Sequence, residues 1–105
     1  MRKRIIFDIS EEMLENWFVT AMEGGSNYWI DKISEYCPDK IAIEGYSVAI
    51  EVEGMGRYEL TKEKLLEGLK TCPSGVAQRL MDESYDADDA DILLQQALFS
   101  EVVFG

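Results

Sequence analysis

The spacing of apolar residues changes several times along the chain, and each change marks a predicted element. Apolar residues at every second position predict a strand over residues 3–9. Ser10 then offers a helix N-cap, and apolar residues at helical spacing predict a helix to about Met22. The adjacent glycines Gly24 and Gly25 are expected to end that helix.

Further strands are predicted in the middle of the chain. Residues 28–36 and 40–44 are each predicted to form a strand. The clearest pattern is a hairpin over residues 47–60, in which Gly54 and Gly56 form the turn between two alternating segments.

The last third of the chain is predicted to be helical. Thr61 is expected to cap a helix that runs to about Lys70, and residues 76–81 and 92–99 are expected to form two more helices. Strands followed by helices predict an α+β fold, with a small antiparallel sheet of four to five strands and three to four helices packed on one face. The length suits a single domain over residues 1–105.

The helix over residues 92–99 is apolar on much of its circumference. A chain of this length has difficulty covering such a helix on every side. The sequence therefore predicts a possible homodimer formed through Ile92–Phe99.

The charge of the chain narrows the classes of function. Its 21 carboxylates outnumber 10 Lys and Arg, which gives a net charge of -11, and it contains no histidine. Such a surface repels nucleic acid, because nucleic-acid binding needs cations that neutralise phosphates, and it attracts basic protein surfaces. The absence of histidine removes the commonest general base and the commonest metal ligand. We therefore expect no enzymatic activity, no cofactor and no metal.

The apolar content indicates a packed domain rather than an acidic tail, since 47% of the residues are hydrophobic. No apolar run is long enough to span a membrane, and the basic first residues are not followed by the apolar segment of a signal peptide. Cys37 and Cys72 are solitary and are expected to be reduced thiols. Together these features predict a cytoplasmic protein without membrane contact.

The acidic segment over residues 82–91 is the first candidate site. The calcium-binding loop of EF-hands does not fit it, because Leu93 or Ala97 stands where the bidentate glutamate is needed. The simplest interpretation is that Asp88 or Asp89 caps the last helix. A partner-binding patch and a cation site are the alternatives.

Carboxylates of the hairpin form a second candidate group, since we expect them on the solvent face of the sheet. Together with the acidic segment they could present charges in rows that resemble the spacing of phosphates. The alternative is a charged surface that only keeps the protein in solution. The predicted partner-binding residues are Glu51, Glu53, Glu59, Asp86, Asp88 and Asp89.

Three aromatic residues form the third candidate group. Trp17, Tyr28 and Trp29 could line a pocket for a small molecule, although packing in the core is the more common use of such rings. A nucleotide ligand would need Lys or Arg for its phosphates, and the chain has few of them.

Three blocks of the sequence resemble a set of small acidic proteins of bacteriophages and prophages. The blocks are AMEGGSNYW at residues 21–29, YELT at residues 58–61 and YDADDADILLQQALFSEVVFG at residues 85–105. The resemblance implies a phage accessory protein that acts in the cytoplasm of a bacterial host, and it transfers no catalytic residue. Small phage proteins of this kind often counter host defence, and some anti-CRISPR and anti-restriction proteins imitate DNA.

The leading hypothesis is a non-enzymatic protein that binds and inhibits a nucleic-acid-handling defence protein of the host through an acidic, DNA-mimicking surface. The alternative is a protein that binds or sequesters a nucleotide signal in an aromatic pocket. A third hypothesis is a small hydrolase that uses carboxylates and a divalent ion.

Overall fold

The computed structural model describes residues 9–105, so residues 3–8 of the first predicted strand lie outside the described part of the chain. Ile9 belongs to no strand. The helix cap is confirmed, because the Ser10 hydroxyl oxygen accepts a hydrogen bond of 3.1 Å from the backbone N–H of Met13. Helix α1 spans Glu11–Thr20 and continues directly into one π-helical turn, Ala21–Gly25.

Three antiparallel strands form the sheet, in the order β1-β2-β3. They are β1 (Ile30–Ser34), β2 (Val48–Val52) and β3 (Gly56–Leu60). The hairpin of β2 and β3 was predicted and is confirmed, with Val48 opposite Leu60 in the core. The prediction of four to five strands is wrong for the described residues, which contain three.

The predicted strand over residues 40–44 is absent. Pro38–Lys40 form a 3-10 turn, and further turns follow it. A strand would place Ile41 and Ile43 on the same side, but Ile41 is fully buried and Ile43 is 54% exposed. The alternation of apolar residues was misleading, because a turn can bury a single apolar residue, here Ile41, without forming a strand.

Three further helices complete the fold: α2 (Lys62–Thr71), α3 (Ser74–Met81) and α4 (Ala87–Phe99). Thr61 caps α2 as predicted, since its hydroxyl oxygen accepts a bond of 3.3 Å from the N–H of Lys64. The cap of α4 is Asp86, not Asp88 or Asp89. Its carboxylate accepts from the N–H of Asp89 at 2.9 Å, and the Asp89 carboxylate accepts from the N–H of Asp86 at 3.3 Å.

Helix α4 is the centre of the fold and contacts α1, the π-helical turn, α2, α3 and β3. Leu93 and Leu94 are buried by these neighbours, and Gly68 brings α2 so close that a Cβ there would lie 2.7 Å from the backbone nitrogen of Ala97. One chain therefore covers much of this helix, which removes the reason for predicting a dimer through Ile92–Phe99. The α+β class is confirmed.

Within residues 9–105, no helix combines the length and the apolar character that crossing a membrane requires. Cys37 and Cys72 are both free thiols.

Candidate functional site

The outer face of the sheet carries balanced charges. Glu51 lies between Lys32 of β1 and Arg57 of β3 in the strand register. Arg57 also approaches the carboxylate of Glu59 at 3.7 Å, and Glu59 accepts a hydrogen bond of 3.3 Å from Ser47. Two cations thus accompany two of the carboxylates that were predicted to bind a partner, so this face does not present an uninterrupted acidic row.

Asp89, another predicted partner-binding residue, is buried and paired. Its two carboxylate oxygens accept bonds of 2.8 Å each from the guanidinium of Arg79. The bond from Arg79 is the main cause that lowers the pKa of Asp89 below its ordinary value, and the N–H of Asp86 adds to it against the opposing effect of burial. Asp89 therefore joins α3 to α4 and is not offered to a partner.

The remaining carboxylates of the acidic segment are exposed. Asp82, Glu83, Asp86 and Asp88 lie in the connection from α3 to α4 and in the first turn of α4. We call these four residues the 82–88 surface. Four ion pairs occur within residues 9–105, and none of them includes a residue of this surface. Glu53, the sixth predicted partner-binding residue, is exposed in the hairpin turn.

A buried carboxylate lies close to this surface. Asp91 is 8% exposed, and its Oδ1 accepts hydrogen bonds from Ser26 at 2.7 Å, from the indole of Trp29 at 2.7 Å and from Gln95 at 3.1 Å. Its Oδ2 accepts one bond, of 2.8 Å, from the hydroxyl of Tyr28. Among the described residues no Lys or Arg forms an ion pair with Asp91. The donors that the described part of the chain provides to Asp91 are therefore all neutral.

Gly25 makes this arrangement possible by letting the π-helical turn approach α4. A Cβ at this position would overlap the backbone carbonyl oxygen of Ala87 and lie 3.2 Å from the Cβ of Asp91. Ser26 follows directly, and its N–H donates to the carbonyl of Ala21 at 2.7 Å. Gly24 and Gly25 were predicted to follow the helix end, but they form the last two residues of the π-helical turn, with Ser26 as its C-cap. Gly25 also brings the donors for Asp91 into place.

Gln95 fixes the tail of the chain beside Asp91. Its side-chain oxygen accepts bonds of 2.8 Å each from the N–H groups of Val103 and Phe104. Its amide nitrogen donates to Asp91 and to the carbonyl of Phe104, at 3.1 Å in both cases. All four hydrogen bonds of the amide are therefore formed, and three of them join the tail to α4.

An aromatic cluster completes this region. The ring of Phe104 stacks on Trp29, with centroids 5.3 Å apart and an angle of 3° between the rings. Phe99 contacts both rings and also Tyr58 of β3, at a centroid distance of 4.9 Å. The three sequence segments 21–29, 58–61 and 85–105 all contribute to this cluster.

An open pocket of about 510 Å³ lies between α4 and the tail. Partial burial and the hydrogen bond to Asp91 raise the pKa of Tyr28 to about 12, so this phenol is protonated and donates at neutral pH. Among residues 9–105 the lining contains the carboxylates of Asp88 and Asp91 and no Lys or Arg, which favours a cation over a phosphate. The lining residues are Tyr28, Asp88, Asp91, Ile92, Gln95, Val102, Phe104 and Gly105.

The three predicted ligand-binding aromatic residues do not meet in one pocket. Tyr28 lines the pocket and is 58% exposed, whereas Trp29 is buried beside it under Phe104. Trp17 is fully buried elsewhere in the core, where its indole N–H donates to the carbonyl of Leu80 at 3.2 Å.

Comparison with protein-family models, with curated proteins and with solved structures finds no match to this chain. Within residues 9–105 no group of three or more His, Cys, Asp or Glu side chains is placed to hold a metal ion.

Sequence reasoning missed Asp91 and Gln95 as members of the site. A signal was present, because these polar residues are four positions apart and share one helix face with Leu94, which is apolar and buried. Polar residues on the buried face of a helix need hydrogen-bond partners. Ser26 and the backbone of the tail supply or accept some of those bonds. The sequence alone could not show that these two segments lie against α4.

Proposed function

We propose that this chain is a non-enzymatic binding protein that holds a basic protein partner against the 82–88 surface. The observation that carries the proposal is the state of four carboxylates within seven residues: all are exposed, and none belongs to an ion pair within residues 9–105. Opposite charges on the two surfaces would speed association and make it sensitive to salt.

The partner class follows from the chemistry of such a surface. Clustered carboxylates are complementary to the clustered Lys and Arg with which proteins hold nucleic acid. The phage resemblance supports a nuclease or another defence protein of a bacterial host as that partner. The chain would then occupy a groove that otherwise receives polynucleotide, as anti-CRISPR or anti-restriction inhibitors do.

The alternative of a nucleotide-binding protein is less well supported. A nucleotide in the pocket would bring its phosphates close to the carboxylates of Asp88 and Asp91. Because the described lining residues include no cation to offset this repulsion, the pocket would disfavour such a ligand.

The test is capture of proteins from a nuclease-treated bacterial lysate on three versions of the immobilised chain. The first is the unaltered protein. The second replaces the four carboxylates of the 82–88 surface with amides. Asn at position 86, the N-cap of α4, keeps an acceptor for the backbone N–H of Asp89. Its substitutions are Asp82→Asn, Glu83→Gln, Asp86→Asn and Asp88→Asn.

The third version is a matched control that loses four exposed charges elsewhere. Its substitutions are Glu11→Gln, Glu12→Gln, Glu63→Gln and Glu67→Gln. We expect the unaltered protein and the control to capture the same basic proteins at about 0.05 M NaCl and to lose them at about 0.5 M, because salt screens exposed charges. Equal capture by the 82–88 variant, with its fold verified by thermal melting, would contradict the proposal.

A further inference from the structure

The pocket beside the 82–88 surface combines two negative charges with apolar walls. Asp91 lies in it as a buried carboxylate without an ion-pair partner in the described chain, and the exposed Asp88 also lines it. The walls include Ile92, Val102 and the ring of Phe104. A volume of about 510 Å³ is within the range of ligand sites in proteins.

The hydrogen bonds of Asp91 leave part of the carboxylate available. Of the four donors that residues 9–105 supply, Ser26, Trp29 and Gln95 bind Oδ1, whereas Tyr28 alone binds Oδ2. A carboxylate has about four acceptor positions divided between its two oxygens. Oδ2 can therefore accept another donor, and a cation would offset the charge that neutral groups now stabilise.

The pocket is also suited to the rest of a long basic side chain. The Tyr28 ring is 58% exposed, and a guanidinium can stack on such a ring. Apolar walls suit the methylene groups that an arginine or lysine buries behind its charged end. Arginine fits this combination better than lysine, because its planar group can stack while it donates several hydrogen bonds in one plane.

We propose that this pocket receives an arginine side chain of the basic partner, with its guanidinium against Tyr28 and between Asp88 and Asp91. This inference rests on the proposed function, because it names the group that anchors the partner to the 82–88 surface. Asp88 belongs to both the surface and the pocket, so one residue would contact the partner at both places.

The test uses N-acetyl-arginine amide as a probe and nuclear magnetic resonance of the two indole N–H groups. The Trp29 indole bonds Asp91, so its signal should shift as the probe binds, whereas the Trp17 indole, bonded to Leu80 in the core, should not move. The citrulline analogue has a similar shape without the charge and should bind about tenfold more weakly. An unmoved Trp29 signal, or equal affinity for both probes, would overturn the inference.

Two substitutions sharpen the result. Asp91→Asn keeps an acceptor for Ser26, Trp29 and Gln95 but removes the charge, so the protein should fold and lose most of its affinity for the arginine probe. Asp88→Asn should weaken binding about threefold, the effect of one exposed ion pair. Glu12→Gln, in the first turn of α1 and outside the pocket, is the control and should change nothing.

The outcomes separate this inference from the proposed function. If capture of basic proteins depends on the 82–88 surface but Asp91→Asn leaves affinity for the probe unchanged, the pocket proposal is wrong and the proposed function stands. If the probe binds as expected but capture is unaffected by the 82–88 substitutions, the proposed function is wrong.

Discussion

At the scale of single residues, the structure depends on a few polar groups that lie on the buried face of α4. Asp91 and Gln95 replace apolar contacts on the inner face of α4 with a network that joins the π-helical turn, the helix and the tail. A network in which every member is satisfied specifies one arrangement, because losing any partner leaves a buried donor or acceptor unpaired. Asp91, whose carboxylate lines the proposed pocket, thus also stabilises the fold.

The two adjacent glycines should respond very differently to the same substitution. Gly25→Ala would drive a Cβ into the carbonyl of Ala87, and we expect a loss of about 2 kcal/mol or more in the free energy of unfolding. Gly24→Ala is the matched control, since its Cβ would lie 3.9 Å from the Cβ of Ala87, an ordinary contact, and we expect little change. Urea denaturation of both variants measures the difference, and equal stability of the two would contradict the close approach.

At the scale of elements, the sequence predicted those structures whose signals are local. The caps at Ser10 and Thr61 and the hairpin turn at Gly54–Gly56 depend on neighbouring residues alone, and all three were correct. The false strand over residues 40–44 and the unpredicted π-helical turn depend on distant contacts. Ile41 is buried by the core rather than by a strand neighbour, so alternation in the sequence could not decide its structure.

The link between α3 and α4 should make the stability of the protein depend on pH. The pKa of Asp89 is lowered by Arg79, so the folded state favours the carboxylate more than the unfolded state does. The stabilisation is therefore complete above the ordinary pKa of 3.8 and is lost as the pH falls through the lower pKa of the folded state.

Chemical denaturation at a series of pH values tests this link. Between about pH 6 and about pH 3 the unaltered protein should lose more stability than Arg79→Gln, in which the carboxylate has lost its cation. Asp82→Asn is the control, because it removes an exposed charge at the C-terminal end of α3 and keeps the Arg79–Asp89 pair. Its pH profile should follow that of the unaltered protein. Parallel pH profiles for Arg79→Gln and the unaltered protein would show that the pair does not stabilise the fold.

At the scale of the whole molecule, the net charge was evident from the sequence but its distribution was not. Glu51, Glu59 and Asp89 were grouped with Asp86 and Asp88 because charge alone does not reveal which carboxylates have partners. Strand register supplied Lys32 and Arg57 to the sheet, and helix packing supplied Arg79 to Asp89. The excess of negative charge is thereby left to other parts of the surface, including residues 82–88.

The packing of α4 also changes the expectation about assembly. The dimer was predicted because the apolar helix was expected to need a second copy of the chain to bury it. Within one chain, however, α4 contacts α1, the π-helical turn, α2, α3 and β3. The 82–88 surface is likewise exposed on a single chain and needs no second copy to form it.

Competition with duplex DNA tests the proposed function most directly. A basic partner captured on the immobilised chain is exposed to increasing concentrations of duplex DNA, and the bound fraction of the partner is measured. If the 82–88 surface occupies the groove that receives polynucleotide, DNA should release the partner over the concentrations at which it binds the partner alone. The proposal would be contradicted if the partner is saturated with DNA and still stays bound to the chain.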